Sequence, residues 1–299
     1  MKKFNTQDNL FHRIRLLCMI GLVLTVAACS SIRLTYNNGD SLLYYWLNAY
    51  VDIDSDQSDW VKQDIDDLFQ WHRSTQLKDY VQLLQKGQRQ LAGNMTQADL
   101  LASYREVRER GEKLANKAVP DLAQLAISLK PDQINTLARK FESNNDKYRK
   151  KFLRGDRDDR NKVRYKKAME QFELWFGNFS REQEAALRKA SDARPLDNEM
   201  WLDERMRRQQ MILAMLRKVH DQKLSKEAAM PLVQQLVRDV FTRMDSPERK
   251  AFYDASLDGT TKMMLTAIKI ATPEQKAHAH KRMQGWIDDF NVLAASKQN

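Results

Sequence analysis

Apolar residues in this 299-residue chain return at every third or fourth position, segment after segment. Val61, Ile65, Leu68, Phe69 and His72 are followed by Leu77, Val81 and Leu84, and Tyr165, Met169, Phe172, Phe176 and Phe179 repeat the spacing. Leu202, Met206, Leu213 and Leu216 do so again, then Val233, Val237, Val240 and Met244, then Met283, Trp286, Ile287, Phe290 and Ala294. Residues three and four apart share one face of a helix, so each run reads as the buried stripe of an amphipathic helix. No sustained period-two run rich in β-branched residues occurs, which argues against strands. The expected fold is all-α: one elongated domain of seven to nine amphipathic helices joined by short turns.

Helix starts are marked as well. Pro131, Pro247 and Pro273 each sit one residue inside an apparent start, where the missing N–H costs nothing. Ser180-Arg181-Glu182-Gln183 and Thr272-Pro273-Glu274-Gln275 fit a capping box, in which the Gln reaches back to the cap N–H. Leu129-Lys130-Pro131-Asp132-Gln133 is a weaker copy, and the spacing is too irregular for a solenoid.

The N-terminus carries an address. Lys2, Lys3, Arg13 and Arg15 precede the apolar run Leu16 to Val26, and Ala27, Ala28 and Cys29 follow. The run is shorter than the ~20 residues that cross a bilayer, and basic, apolar and small-residue parts in this order read as a removable export signal. A cysteine directly after the small residues resembles the lipobox of bacterial lipoproteins. That resemblance implies cleavage before Cys29 and acylation of its thiol and new amine by palmitate-type chains. Ser30, not Asp, follows Cys29, which favours the periplasmic face of the outer membrane. The chain then divides into a signal (1–28), a lipid anchor with short tether (29–41) and a single helical domain (42–299). Cys18 lies in the signal, so no disulfide is available to the domain. The tether to Leu42 spans at most roughly 45 Å, which keeps Tyr44, Tyr45, Trp46 and Tyr50 close to the membrane. Their ordinary role is core packing.

Charge is unevenly spread. The chain carries a net +10, and residues 1–28 hold four bases and one acid, so the remainder keeps +7. The segment from Asp146 to Lys167 alone has eleven Lys/Arg against four acids, the whole of that excess. Arg149, Lys150, Lys151, Arg154, Arg157 and Arg160 form its centre and are the candidate patch for an anionic partner. Outside the cytoplasm the available polyanions are lipid headgroups, lipopolysaccharide phosphates and cell-wall polymers. Export and the lack of any recognition motif argue against nucleic acid. The competing reading is a solvated helix hairpin.

Other constellations are weaker. Asp52, Asp54, Asp56 and Asp59 alternate as calcium-loop ligands do, but Gln57 and Gln63 stand where the loop needs Gly and Glu, so helix capping is the simpler reading. His278 and His280 are two apart and face different sides of a helix, and His220 stands alone. With few glycines and no catalytic or phosphate-cradling motif, no cofactor or metal site is expected. Glu173 beside Trp175 and Glu204 near Trp201 are the candidate acids of a cell-wall enzyme, and both read as surface residues.

The stretch after the anchor resembles a family of uncharacterised bacterial lipoproteins defined as a domain of unknown function. The residues carrying the resemblance are Leu34, Tyr36-Asn37, Trp46, Tyr50-Val51-Asp52, Gln57, Trp71-His72-Arg73, Leu77 and Tyr80. The family's common Glu-Leu-Pro is Gln76-Leu77-Lys78 here, which argues against a catalytic carboxylate at residue 76. The resemblance implies a helical lipoprotein and supplies no activity. His72 falls on an apolar stripe and reads as a hydrogen-bonded core histidine. The Thr272–Gln275 and Ser180–Gln183 starts also look like the Leu-Thr-x-x-Gln motif of small periplasmic chaperones, although ordinary capping explains them. The favoured function is non-enzymatic binding or scaffolding at the envelope. A chaperone-like holder of unfolded proteins and a wall-acting enzyme are the alternatives. The protein partner is not specified by the sequence.

Overall fold

A computed structural model describes residues 32–242 and 247–296. No strand occurs among them, and thirteen helices follow one another. The first, α1, is described over 32–37. Then come α2 (Gly39–Val51), α3 (Ser55–Thr75), α4 (Leu77–Ala92), α5 (Gln97–Lys117), α6 (Val119–Ser128) and α7 (Pro131–Phe152). The second half comprises α8 (Arg157–Phe176), α9 (Arg181–Asp192), α10 (Asn198–Asp221), α11 (Lys226–Thr242), α12 (Pro247–Ile270) and α13 (Pro273–Ala295). The signal, Cys29 and Met244 lie outside the described residues.

The fold class is as expected, but the number of helices is not seven to nine. Breaks without Gly or Pro account for part of the difference. The stripe from Val61 to Leu84 is two helices separated at Gln76. There the hydroxyls of Ser74 and Thr75 bond back to Gln70 O at 2.8 Å and Trp71 O at 2.6 Å, a competition that bends helices. The stripe ending at Phe179 also crosses a boundary, because Gly177 turns the chain at φ +77 and stops α8. Phe179 is nevertheless buried, so the burial pattern outlives the helix.

Two apolar cores result. The first gathers Val61, Ile65, Ala123, Ile134, Leu213 and Val233 from α3, α6, α7, α10 and α11. The second is smaller: Met169, Phe179, Leu187, Met263 and Ala267, from α8, α9, α12 and the turn after α8. The last helix, α13, lies along α4, its most extensive neighbour.

The capping glutamines have a second task. Gln57, third in α3, accepts from the Asp54 amide, and Gln133, third in α7, accepts from the Lys130 amide. The two side chains then bond each other reciprocally, at 3.2 and 2.6 Å. Their NH₂ groups also donate to Ser128 O and Asp52 O. The same device recurs in the second half. Gln183 of α9 and Gln275 of α13 accept from the amides of Ser180 and Thr272, bond each other at 2.8 and 3.1 Å, and donate to Ile270 O and Asn178 O. A buried amide with all its groups paired locks two helix starts together. Ile53, Leu129, Phe179 and Ala271, each buried just before a cap, complete four copies of one local pattern. Asp54 is therefore an N-cap, accepting from Asp56 and Gln57, as the simpler reading of the aspartate cluster required.

The aromatic run on α2 is split. Tyr44 and Tyr50 pack against the first core, but Tyr45 and Trp46 are 68% and 57% exposed, so core packing fails for those two. The cause is helical for Tyr45, which falls opposite the inward-turned residues 44, 47 and 51, while Trp46, one turn before Tyr50, lies at the rim of that face with its ring 4.7 Å from Tyr50's. Among the described residues no helix is long and apolar enough to cross a membrane.

Candidate functional site

The basic segment folds as the end of α7, a four-residue turn and the start of α8. The turn needs Gly155: its φ is +77, and a Cβ there would stand 2.8 Å from the Asp159 side chain. Asp156 caps α8 by accepting from the Asp159 amide at 2.9 Å. The basic residues separate into two kinds. Arg149 is ion-paired to Glu142 and Asp146, both at 2.8 Å. Arg160 pairs with Glu199 at 2.7 Å and donates to Leu153 O, satisfying a carbonyl at the end of α7. Arg160 thus holds the turn in shape, while Arg149 is tied down along α7. Lys150, Lys151, Arg154 and Arg157 are exposed and make no ion pair among the described residues, with Lys151 resting 5.7 Å from the Phe152 ring centre. The outward cation set is thus four of the six candidates.

The residues Trp71, His72, Arg73 and Tyr80 converge with Tyr36 and Asn37. His72 is half-buried, with Nδ1 2.7 Å from the Tyr36 hydroxyl and Nε2 3.2 Å from that of Tyr80. Arg73 is buried, donates to Asn37 Oδ1 and Ser296 Oγ, and lies 5.2 Å from the Tyr36 ring centre. Trp71 carries Lys117 5.9 Å from its ring centre. Burial pushes the Tyr36 hydroxyl up to about 12 and His72 below the ordinary histidine range. The group reads as a clamp tying α1, α3, α4 and the end of α13 together.

That geometry makes a pH prediction. A neutral folded imidazole means that the unfolded chain takes up a proton first, near pH ~6.5. The contribution of the clamp is then complete above that pH and declines as pH falls towards the lowered folded value. Urea midpoints measured at about pH 7.5 and about pH 5.5 should show the stability gap between the wild type and His72→Gln shrinking on acidification. A gap independent of pH would remove the histidine from this role.

Glu204 departs from expectation. It is 2% exposed, not a surface neighbour of Trp201. Arg207 and Arg208, one helical turn on, bond it at 2.9 and 2.7 Å, and Arg249 of α12 approaches to 3.8 Å. Burial pushes its carboxyl up, but the two arginine hydrogen bonds and charges outweigh that and hold it below the usual glutamate range. A general acid for sugar cleavage needs the opposite shift. Glu173 is exposed, as expected. His278 Nδ1 lies 2.8 Å from Trp175 O.

A model of a family of unknown function (DUF6279) matches residues 49–243, well over half of the chain. The chain belongs to that family. No curated protein and no solved structure matches it. The DUF6279 region contains Trp71, His72, Arg73, Tyr80 and the whole basic segment. The clamp partners Tyr36, Asn37 and Ser296 fall outside it, as do α12 and α13.

Proposed function

We propose that this DUF6279 protein is a lipoprotein held by acylated Cys29 at the periplasmic face of the outer membrane, where it binds or scaffolds anionic envelope material without turnover. The observation that carries the reading is the α7–α8 corner, which presents Lys150 and Lys151 at the end of α7, Arg154 in the turn and Arg157 at the start of α8 outward while Arg160 braces it. Four cations around one helix–helix corner favour a polyanionic surface and lose that preference in salt. The signal, the small residues before Cys29 and the tyrosine, tryptophan and histidine signature support the address.

The test is flotation of the purified chain with vesicles containing anionic lipid, at low and high salt. A basic residue near such a surface is worth about 1 kcal/mol. Replacing Lys150, Arg154 and Arg157 together by glutamine should therefore weaken association roughly a hundredfold. Equal flotation of that triple variant would end the proposal for the turn. In parallel, Cys29→Ser should leave the protein uncleaved or soluble, and the native N-terminal peptide should carry the mass of an acylated cysteine.

A further inference from the structure

Beneath α8, on the inner side of the corner whose outer side carries the exposed cations and reached there by Phe152 and Arg160, lies an open cavity of about 660 Å³. Its walls come from α4, α5, α7, α8, α12 and α13 and are overwhelmingly apolar, with Leu91, Phe172, Trp175 and Phe176 among them. Met95, Met263, Met264 and Met283 line it too. Unbranched thioether side chains adapt to a flexible occupant better than branched ones do. The volume is that of a small-molecule site, about 300–1,000 Å³. A methylene takes up about the room of a water, roughly 30 Å³, so the space suits one long acyl chain and not the two chains of a diacyl lipid.

The charged groups at this wall are all of one sign. Arg160, Arg164, Lys167 and Arg194 line the cavity, and no Asp or Glu does. The Arg164 Nη1 and Nη2 groups donate to Pro195 O, Arg194 O, Ser191 O and Asn161 Oδ1 at 2.7 to 3.2 Å, while its Nε is buried with no partner, and none of these acceptors carries a charge. Burial first, and Arg194 second, push it down to about 10. Arg194 is less satisfied still. Its Nη1 meets Met263 Sδ at 3.7 Å, and its Nε is buried with no partner. Lys167 makes no ion pair among the described residues and stands 5.9 Å from the Phe152 ring centre. Neighbouring half-buried guanidiniums that no carboxylate pairs are unfavourable, and an arriving anion relieves them.

We propose that this cavity binds one long-chain fatty acid, its tail along the methionine and aromatic wall and its carboxylate on Arg194 and Lys167, with Arg164 supplying the field behind them. This goes beyond the surface reading and does not depend on it. Trp175 in the wall provides the readout. The purified full chain is titrated with a mid-chain dibrominated stearate, whose bromines quench nearby indoles on contact.

Saturable quenching with one site per chain is expected, with most of it lost in Trp175→Phe. The brominated alcohol of equal length should bind at least about tenfold more weakly, as should the acid to Arg194→Ala/Lys167→Ala, since a charge-assisted hydrogen bond is at stake. Equal affinity for acid and alcohol, unchanged affinity in the double variant, or quenching that never saturates would overturn the proposal. Tighter binding of a phosphate-headed lysolipid than of the acid would overturn the choice of carboxylate. Should the double variant fail to fold, the acid-against-alcohol comparison on the wild type decides. Vesicle flotation reads the turn and quenching reads the cavity, so either reading can fail alone.

Discussion

Glu204→Ala is expected to lower the unfolding free energy by about 2–4 kcal/mol. Removing one partner of a buried ion pair typically costs 3–5 kcal/mol because the other charge stays behind. Here the figure is reduced because Arg207, Arg208 and Arg249 are 18 to 30% exposed and reach water. Three guanidiniums gather on that carboxylate, and two of them sit on its own helix, so without it α10 carries a repelling cluster into the contact with α12. Glu204→Gln keeps the volume and should recover little of the loss. The carboxyl is held below its ordinary value, so its contribution is present above pH ~4.3 and disappears as pH falls through the folded value. Urea midpoints of the wild type and both variants at neutral pH check this. A loss below 1 kcal/mol in Glu204→Ala would show that solvent already screens the cluster.

The second large effect is expected at the paired glutamines. Gln133→Leu strips a donor from Asp52 O and from Gln57 Oε1, and an acceptor from the Lys130 amide. Buried groups left unpaired cost about 1–3 kcal/mol each, partly relieved by relaxation, so a loss of about 2–4 kcal/mol is expected. Gln275→Leu should behave alike, through Asn178 O and Gln183. The two pairs share no partner, so the double variant should lose the sum of the single losses to within about 0.5 kcal/mol. Urea denaturation of the three variants measures it. Clear non-additivity would mean that the two halves are coupled through something other than these amides.

The glutamines also show what the sequence could and could not say. The capping boxes at Ser180 and Thr272 were legible because a cap is a local bargain over three residues. That Gln183 and Gln275 meet across 92 positions was not, since nothing local distinguishes a glutamine that caps from one that caps and pairs. Asp54–Gln57 carried the same signature but lay inside an alternating aspartate run that drew attention to calcium. The all-α class followed from periodicity, while the helix count failed at Gln76, where hydroxyl back-bonding ends a helix that the apolar stripe continues.

At the site, the surplus of basic residues was legible and its division was not. Arg149 and Arg154 look alike in sequence, yet one is bound to two acids and the other is exposed with no ion pair among the described residues. Arg194 was missed altogether, because it lies outside the basic run. Its nearest sequence signal is Pro195, which disfavours helical backbone at the residue before it and so marks a helix end.

The seating of α13 along α4 has a consequence for how the protein is made and cut. Ser296 accepts from Arg73, and Gln88 donates to His280 O, so the opening third of the chain is fastened by α13 and the residue that caps it. A growing polypeptide cannot finish its amino-terminal portion until α13 has been made, and recombinant fragments trimmed to 49–243 would be born with a bare flank. Such pieces should bind a dye for exposed hydrophobic surface, and boundaries for expression belong beyond residue 296.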